Sequence, residues 1–199
     1  MKGDDIVSNR IRASKPAAYE FEITLCDVHP TVWRRFCVPA NITFQRLHDV
    51  IQVVMGWENY HLYEFRFGKT RISTPDDEFE VDATHFDARR KRLPSLGFDG
   101  DDVLGYLYDF GDNWMHVLRV IRPIYDLGDR PAYACLDGAR SCPPEDVGGP
   151  HGYADFLKII SQPNHPEYEH MRLWSGGTFS PMRFDKEAVN QELWRRFME

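Results

Sequence analysis

From Tyr19 onward the chain alternates, with Tyr19, Phe21, Ile23 and Leu25 apolar and Glu20, Glu22 and Thr24 polar between them. Successive side chains of a strand point to opposite faces, so this pattern predicts a half-buried strand over 19–25. His29-Pro30 is a turn signal, and a second apolar-rich run over 32–38 predicts a hairpin. Arg34 and Arg35 fall on opposite faces of that second strand, so at least one should be solvated or paired. After Pro39 the period lengthens. Phe44, Leu47, Ile51, Val54 and Met55 recur at helical spacing, behind Thr43 as N-cap and before Gly56 as stop, which predicts a helix over 44–55. His61, Tyr63, Phe65 and Phe67 then alternate again and predict a third strand.

The opening order is therefore β-β-α-β. Residues 69–102 keep no sustained period and are predicted to be irregular. Within them the acidic Asp76-Asp77-Glu78 and the basic Arg89-Arg90-Lys91-Arg92 read as solvated or ion-paired segments. Leu104–Phe110 and Trp114–Arg122 predict a second hairpin around Gly111-Asp112-Asn113, residue types that tolerate a tight turn. Trp114, His116, Leu118 and Val120 share one face of its second strand. His116 is thus either a core histidine, held by Asp109 or a backbone carbonyl, or a ligand or proton carrier.

Farther on, 133–136 is at most a short strand, and 141–152 is too rich in Pro and Gly for helix or strand. Helices are predicted from Tyr153, from Pro166 to the Gly176-Gly177 stop, and from an Asp185 cap. Met171, Leu173 and Trp174 supply the apolar side of the second of these. Val189, Leu193, Phe197 and, obliquely, Trp194 form the buried stripe of the last. Helices gathered in the last third and strands in the middle predict an α+β fold. Its N-terminal β-β-α-β unit is extended by a β-hairpin into a mainly antiparallel sheet, with C-terminal helices packed on it. Residues 1–17 read as a flexible polar leader and 18–199 as one domain.

Composition narrows the function classes. The chain is 42% hydrophobic and 14% aromatic, enough for a core. Its net charge of −7 argues against general coating of nucleic acid. No apolar run reaches the ~18 residues of a membrane helix, and the N-terminus lacks a secretory h-region, so a cytoplasmic location is expected. The four cysteines make no clear disulfide framework, and Cys26 and Cys37 lie in strand-like runs as small buried hydrophobes.

Chemistry concentrates between Gly105 and Tyr153. The candidate pocket residues are Tyr108, Asp109, Asp112, Trp114, His116, Glu145 and Asp146, with His61 from the earlier run. Three readings compete. The first is a non-enzymatic binding module for a small ligand or a protein partner, its polar pocket built from loops on a rigid sheet. The second is a metal site, zinc in kind, drawn from Cys135, Cys142, His116 and His151 with Asp109 and Asp112. The six residues between the two cysteines exceed the usual paired spacing of a zinc site. The third is a nuclease-like hydrolase in which Asp109, Asp112, Glu145 and Asp146 hold magnesium and His61 or His116 moves protons. Against it, no Gly-x-Ser-x-Gly, Walker loop or His-Glu-x-x-His is present. On a strand, His61 and Glu64 would face opposite ways and could not act as a ligand pair.

Four motifs stand in one order: Val32-Trp-Arg-Arg; Gly56-Trp57 with His61-Leu-Tyr-Glu-Phe65; Tyr108-Asp-Phe-Gly-Asp-Asn-Trp-Met-His116; and Cys142-Pro-Pro-Glu-Asp-Val-Gly-Gly149. Together with Phe179-Ser-Pro-Met-Arg-Phe-Asp185 and Val189-Asn190, they resemble the plasmid pRiA4b ORF-3-like family over residues 19–197. That family is also described as a passenger protein of an IS1096-type insertion element. The resemblance implies an α+β domain linked to plasmid or mobile DNA and brings no established activity. The family often has His where Tyr63 stands and Cys where Val147 stands. Without that third thiol, an all-thiolate metal site is weakened.

Overall fold

The structure, a computed structural model, describes residues 15–75, 83–98 and 100–199. Most of the expected leader and the acidic 76–78 run lie outside the described residues.

Among the described residues, eight strands form one sheet: β1 (Ala18–Leu25), β2 (Trp33–Pro39), β3 (Tyr63–Phe67), β4 (Thr70–Ser73), β5 (His85–Asp87), β6 (Val103–Tyr108), β7 (Trp114–Ile124) and β8 (Ala134–Ala139). Their spatial order is β5-β4-β3-β6-β7-β1-β2-β8, antiparallel throughout except for the β4–β5 pair. The β6–β7 hairpin is therefore inserted at the centre of the sheet, between β3 and β1, not appended at an edge. Four helices complete the fold: α1 (Phe44–Met55), α2 (Gly149–Ile160), α3 (Tyr168–Trp174) and α4 (Lys186–Phe197). This is the α+β architecture expected from the sequence.

Helix α1 forms where its pattern places it. The Thr43 side chain accepts from the Arg46 N–H, and Gly56 closes the helix at φ 102°. Its buried face includes Phe44, Leu47, Val50, Ile51 and Val54, with Phe44 edge-on to Phe65 of β3. On β7 the alternation holds as read, with Trp114, His116, Leu118 and Val120 all buried.

Several expectations are corrected. Strands β4 and β5 arise within the stretch predicted to be irregular, too short for alternation to show. Helix α2 begins at Gly149 and not near Tyr153, because Pro150 occupies the first turn, where a missing N–H leaves nothing unpaired. Of the α3 apolar residues Met171 packs against the core, Trp174 is exposed on one side with its ring edge-on to Phe156, and Leu173 is exposed. Trp194 is 53% exposed and does not belong to the α4 stripe.

Two polar groups organise the core. Arg34 lies in phase with Phe36 and Val38, so it is buried at 2% exposure. Its guanidinium donates to the carbonyls of Val54 (2.7 Å), Trp33 (2.7 Å), Ala139 (2.8 Å) and Arg140 (2.7 Å) and sits 4.1 Å over the Phe184 ring. It thus ties the α1 C-terminus to the end of β8, where the helix dipole favours a cation. Arg35, on the opposite face, pairs with the buried Glu20, which also binds Arg122 at 2.7 Å. On the outer side of β8, the Asn190 amide of α4 accepts from the Cys135 N–H at 2.8 Å and donates to the Cys135 carbonyl at 2.9 Å.

Candidate functional site

Three loops meet beyond the end of the β6–β7 hairpin. The first leaves α1 at Gly56 and is held by a buried polar network on that helix. Gln52 accepts the Asn59 N–H at 2.8 Å and donates to the Tyr106 hydroxyl at 3.0 Å. His48 lies between the Tyr106 hydroxyl (2.8 Å) and the Asn59 side-chain oxygen (2.7 Å), stacked on Tyr63. Those partners fix the tautomer: Nε2–H donates to Asn59 and Nδ1 accepts from Tyr106. Burial pulls the His48 pKa down to about 4, only partly opposed by the Asn59 bond, so the ring is neutral at pH 7. Asn59 takes the left-handed conformation at φ 59°, and the chain then delivers His61.

The second loop is the hairpin turn. Asp109 leaves β6 at φ 56°, its Oδ1 accepting from the Gly111 N–H at 2.8 Å. The third is the Cys142–Gly148 run, proline-stiffened at Pro143 and Pro144, which presents Glu145 and Asp146. Asp112 joins the two, accepting the Gly148 N–H at 3.0 Å. Their approach is too close for side chains: a Cβ on Gly149 would lie 2.5 Å from the Asp112 carbonyl oxygen, and one on Gly152 2.0 Å from that of Val147.

At the junction, His61 Nε2 lies 3.3 Å from Asp146 Oδ1, 3.6 Å from Asp109 Oδ2 and 3.9 Å from Glu145 Oε2. Asp109 and Glu145 side chains are each 9% exposed, whereas Asp146 is 70% exposed and forms the rim. Glu145 Oε1 accepts the Tyr108 hydroxyl at 2.9 Å and the Glu58 N–H at 2.7 Å. Glu145 Oε2 and His61 Nε2 are both buried without a hydrogen-bond partner. Burial pushes the Glu145 carboxyl above the usual range. It also pushes the Tyr108 hydroxyl up, with Glu145 adding to the shift. Two clefts of about 340 and 520 Å³ flank Asp146 and share Trp174 as a wall. Glu58, Glu145, Asp146 and Asp155 line them, and no lysine or arginine does.

The structure thus brings together His61, Tyr108, Asp109, Glu145 and Asp146, with Asp112 one step back as a brace. Trp114 and His116 are instead fully buried in the core. His116 Nδ1 meets the Tyr106 carbonyl at 3.2 Å, and burial lowers its pKa to about 4. Cys135, Cys142, His116 and His151 do not assemble. Among the described residues, the His, Cys, Asp and Glu side chains grouped closely enough to share an ion are His61, Asp109 and Asp146. Cys135 faces the Asp137 carbonyl with its thiol pushed up to about 11 by burial, burial likewise raises Cys142, and His151 is exposed on α2. His61 precedes β3 and is not part of it, and Glu64 is engaged by Arg66 and Arg71. His48, Gln52, Asn59, Glu58 and Trp174 were not singled out by sequence. The legible signal for two of them was Phe44, His48 and Gln52 at four-residue steps, which places polar groups on the buried face of α1.

The family model for the plasmid pRiA4b ORF-3-like protein matches residues 17–188. The chain belongs to that family. It is 39% identical over 170 residues to the uncharacterized protein y4hQ of Sinorhizobium fredii, covering 85% of this chain and 84% of that one. It also resembles the crystal structure of a protein of unknown function, MM3350, from Methanosarcina mazei Go1. That match has a TM-score of 0.79 and 33% identity, and covers 88% of this chain and 99% of the other. Among the described residues of this family member, no helix is long and apolar enough to cross a membrane.

Proposed function

We propose that the protein is a non-enzymatic binding module whose ligand is a cation seated among His61, Asp109, Glu145 and Asp146. One observation carries this reading: Glu145 Oε2 and His61 Nε2 are both buried without a hydrogen-bond partner and lie 3.9 Å apart. A buried polar atom left unpaired is costly, and a ligand removes that cost. The carboxylate lining of the adjoining clefts, free of lysine and arginine, supports a positively charged occupant over a phosphate or nucleic acid. Four free thiols support a reducing, cytoplasmic setting, and the family's name supports a link to plasmid or mobile-element biology.

The test is a titration of wild type and Glu145→Gln with guanidinium, butylammonium, Mg²⁺, Mn²⁺ and Zn²⁺, followed by amide NMR shifts. Saturable shifts at the three loops that weaken in the variant are expected. If no member of that set binds at the loops, the proposal fails. A metal-dependent hydrolase is the second reading, favoured by Asp146 standing exposed at the mouth of two clefts. It predicts cation-dependent turnover of a phosphodiester that Asp109→Asn abolishes while leaving the melting temperature unchanged.

A further inference from the structure

Each inner carboxylate of the cluster is divided in its duties. Asp109 Oδ1 is held by the Gly111 N–H, and Glu145 Oε1 by the Tyr108 hydroxyl and the Glu58 N–H. The oxygens left over, Asp109 Oδ2 and Glu145 Oε2, are the two that face His61 Nε2. Orienting one oxygen of a ligand by a neighbour while the other stays free is how outer-shell contacts prepare a metal site.

The separations agree with that reading. His61 Nε2 stands 3.3, 3.6 and 3.9 Å from the acid oxygens and forms a hydrogen bond with none of them. Donors about 2.0–2.2 Å from a shared ion stand roughly 3.0–3.5 Å apart from one another, and the His61 separations lie near that range. His61, Asp109 and Asp146 offer atoms all within 4.8 Å of one another.

We propose that His61 Nε2, Asp109 Oδ2 and Asp146 Oδ1 bind a divalent first-row transition metal, of the Mn²⁺, Fe²⁺ or Zn²⁺ class, with the unpaired Glu145 Oε2, 3.9 Å from His61 Nε2, facing the site. This rests on the cation-binding reading above and names its occupant. The imidazole is what sets the class, since Mg²⁺ and Ca²⁺ prefer all-oxygen shells, whereas manganese, iron and zinc accept nitrogen beside carboxylate. Three carboxylates leave the loaded site with a residual negative charge. The exposed edge at Asp146 leaves open positions toward the Trp174 clefts, where a neutral oxygen donor would complete the coordination. The thiols take no part.

The experiment uses the full-length, untagged protein, stripped with a chelator and titrated with MnCl₂ while the free Mn²⁺ resonance signal is followed. Parallel titrations use MgCl₂ and guanidinium chloride, and CoCl₂ is added to read the ligand type from its absorption spectrum. Expected are one Mn²⁺ per chain, Mg²⁺ weaker by at least about tenfold, and a similar loss of Mn²⁺ affinity in His61→Ala. The cobalt form should show no thiolate charge-transfer band. Asp109→Asn keeps the Oδ1 contact to Gly111 and guards against misfolding in the alanine variant; it should lose Mn²⁺ by the same factor with an unchanged urea midpoint. Mn²⁺ binding that His61→Ala leaves unchanged, or a thiolate band, overturns the proposed ligand set. Guanidinium binding at the loops without Mn²⁺ or Co²⁺ binding overturns the metal and leaves the cation-binding reading standing. Failure of every probe overturns both.

Discussion

Lowering the pH should destabilise this protein through two neutral histidines that never touch solvent. His48 and His116 are both buried, and burial brings each from an ordinary 6.5 to about 4. In the unfolded chain each takes a proton near pH 6.5, whereas the native state does not accept it until about pH 4. Between those values the unfolded state binds more protons, so stability falls as pH falls and levels off below the native value. At 1.36 kcal/mol per pH unit for each proton, the drop amounts to about 3 kcal/mol per histidine and about 7 kcal/mol for the two. Glu145 and Asp49, both raised by burial, take up protons in the native state and offset part of the loss. A fold stabilised by ~5–15 kcal/mol would feel this strongly. The assay is urea unfolding at half-unit steps from pH 7.5 to 4.5, where the slope near pH 5 should approach about 2.7 kcal/mol per pH unit. His116→Gln should halve that slope whatever it does to absolute stability, because only the pH dependence is compared. A flat profile, or one that His116→Gln leaves as steep, would refute the reasoning.

Two further outcomes follow from contacts already described. Arg34→Met strips the carbonyls of Val54, Ala139 and Arg140 of their donor. Urea unfolding should show a loss of a few kcal/mol, since each buried acceptor left unpaired costs about 1–3 kcal/mol. Gly152→Ala would force a methyl group against the Val147 carbonyl, 2.0 Å away. Amide NMR should show the Cys142–Gly148 loop displaced, with shifts spreading to Asp112 and His61, while β1 and β2 keep their resonances.

How much of this was legible in sequence depends on how local the cause was. Helix α1 was readable to the residue because its cap, stripe and stop all lie within it. The start of α2 was hidden, since Gly148-Gly149-Pro150 reads as a breaker until Pro150 is seen to fall where a helix needs no donor. Strand β4 exists because β3 offers it an edge, and β5 because β4 does, non-local causes with no periodic trace. The site behaved the same way. Asp109, Glu145, Asp146 and His61 were each conspicuous by residue type, but their convergence depends on the β6–β7 hairpin inserting beside β3. The pairing of Cys135 with Cys142 was suggested by proximity in the chain. Both thiols turn inward toward Arg34, whose charge partly opposes the effect of their burial. Arg34 itself could have been found from its phase with Phe36 and Val38.

Strand β8 ends an open sheet, and an open edge is a template onto which another chain can add its own backbone. Here the outward N–H and C=O of Cys135 are already satisfied by one carboxamide, Asn190, acting as a single rung of a ninth strand. Helix α4 therefore covers part of this edge as well as adding Leu193 to the core. Asn190→Ala should show as a rise in concentration-dependent aggregation before it shows as a fall in melting temperature.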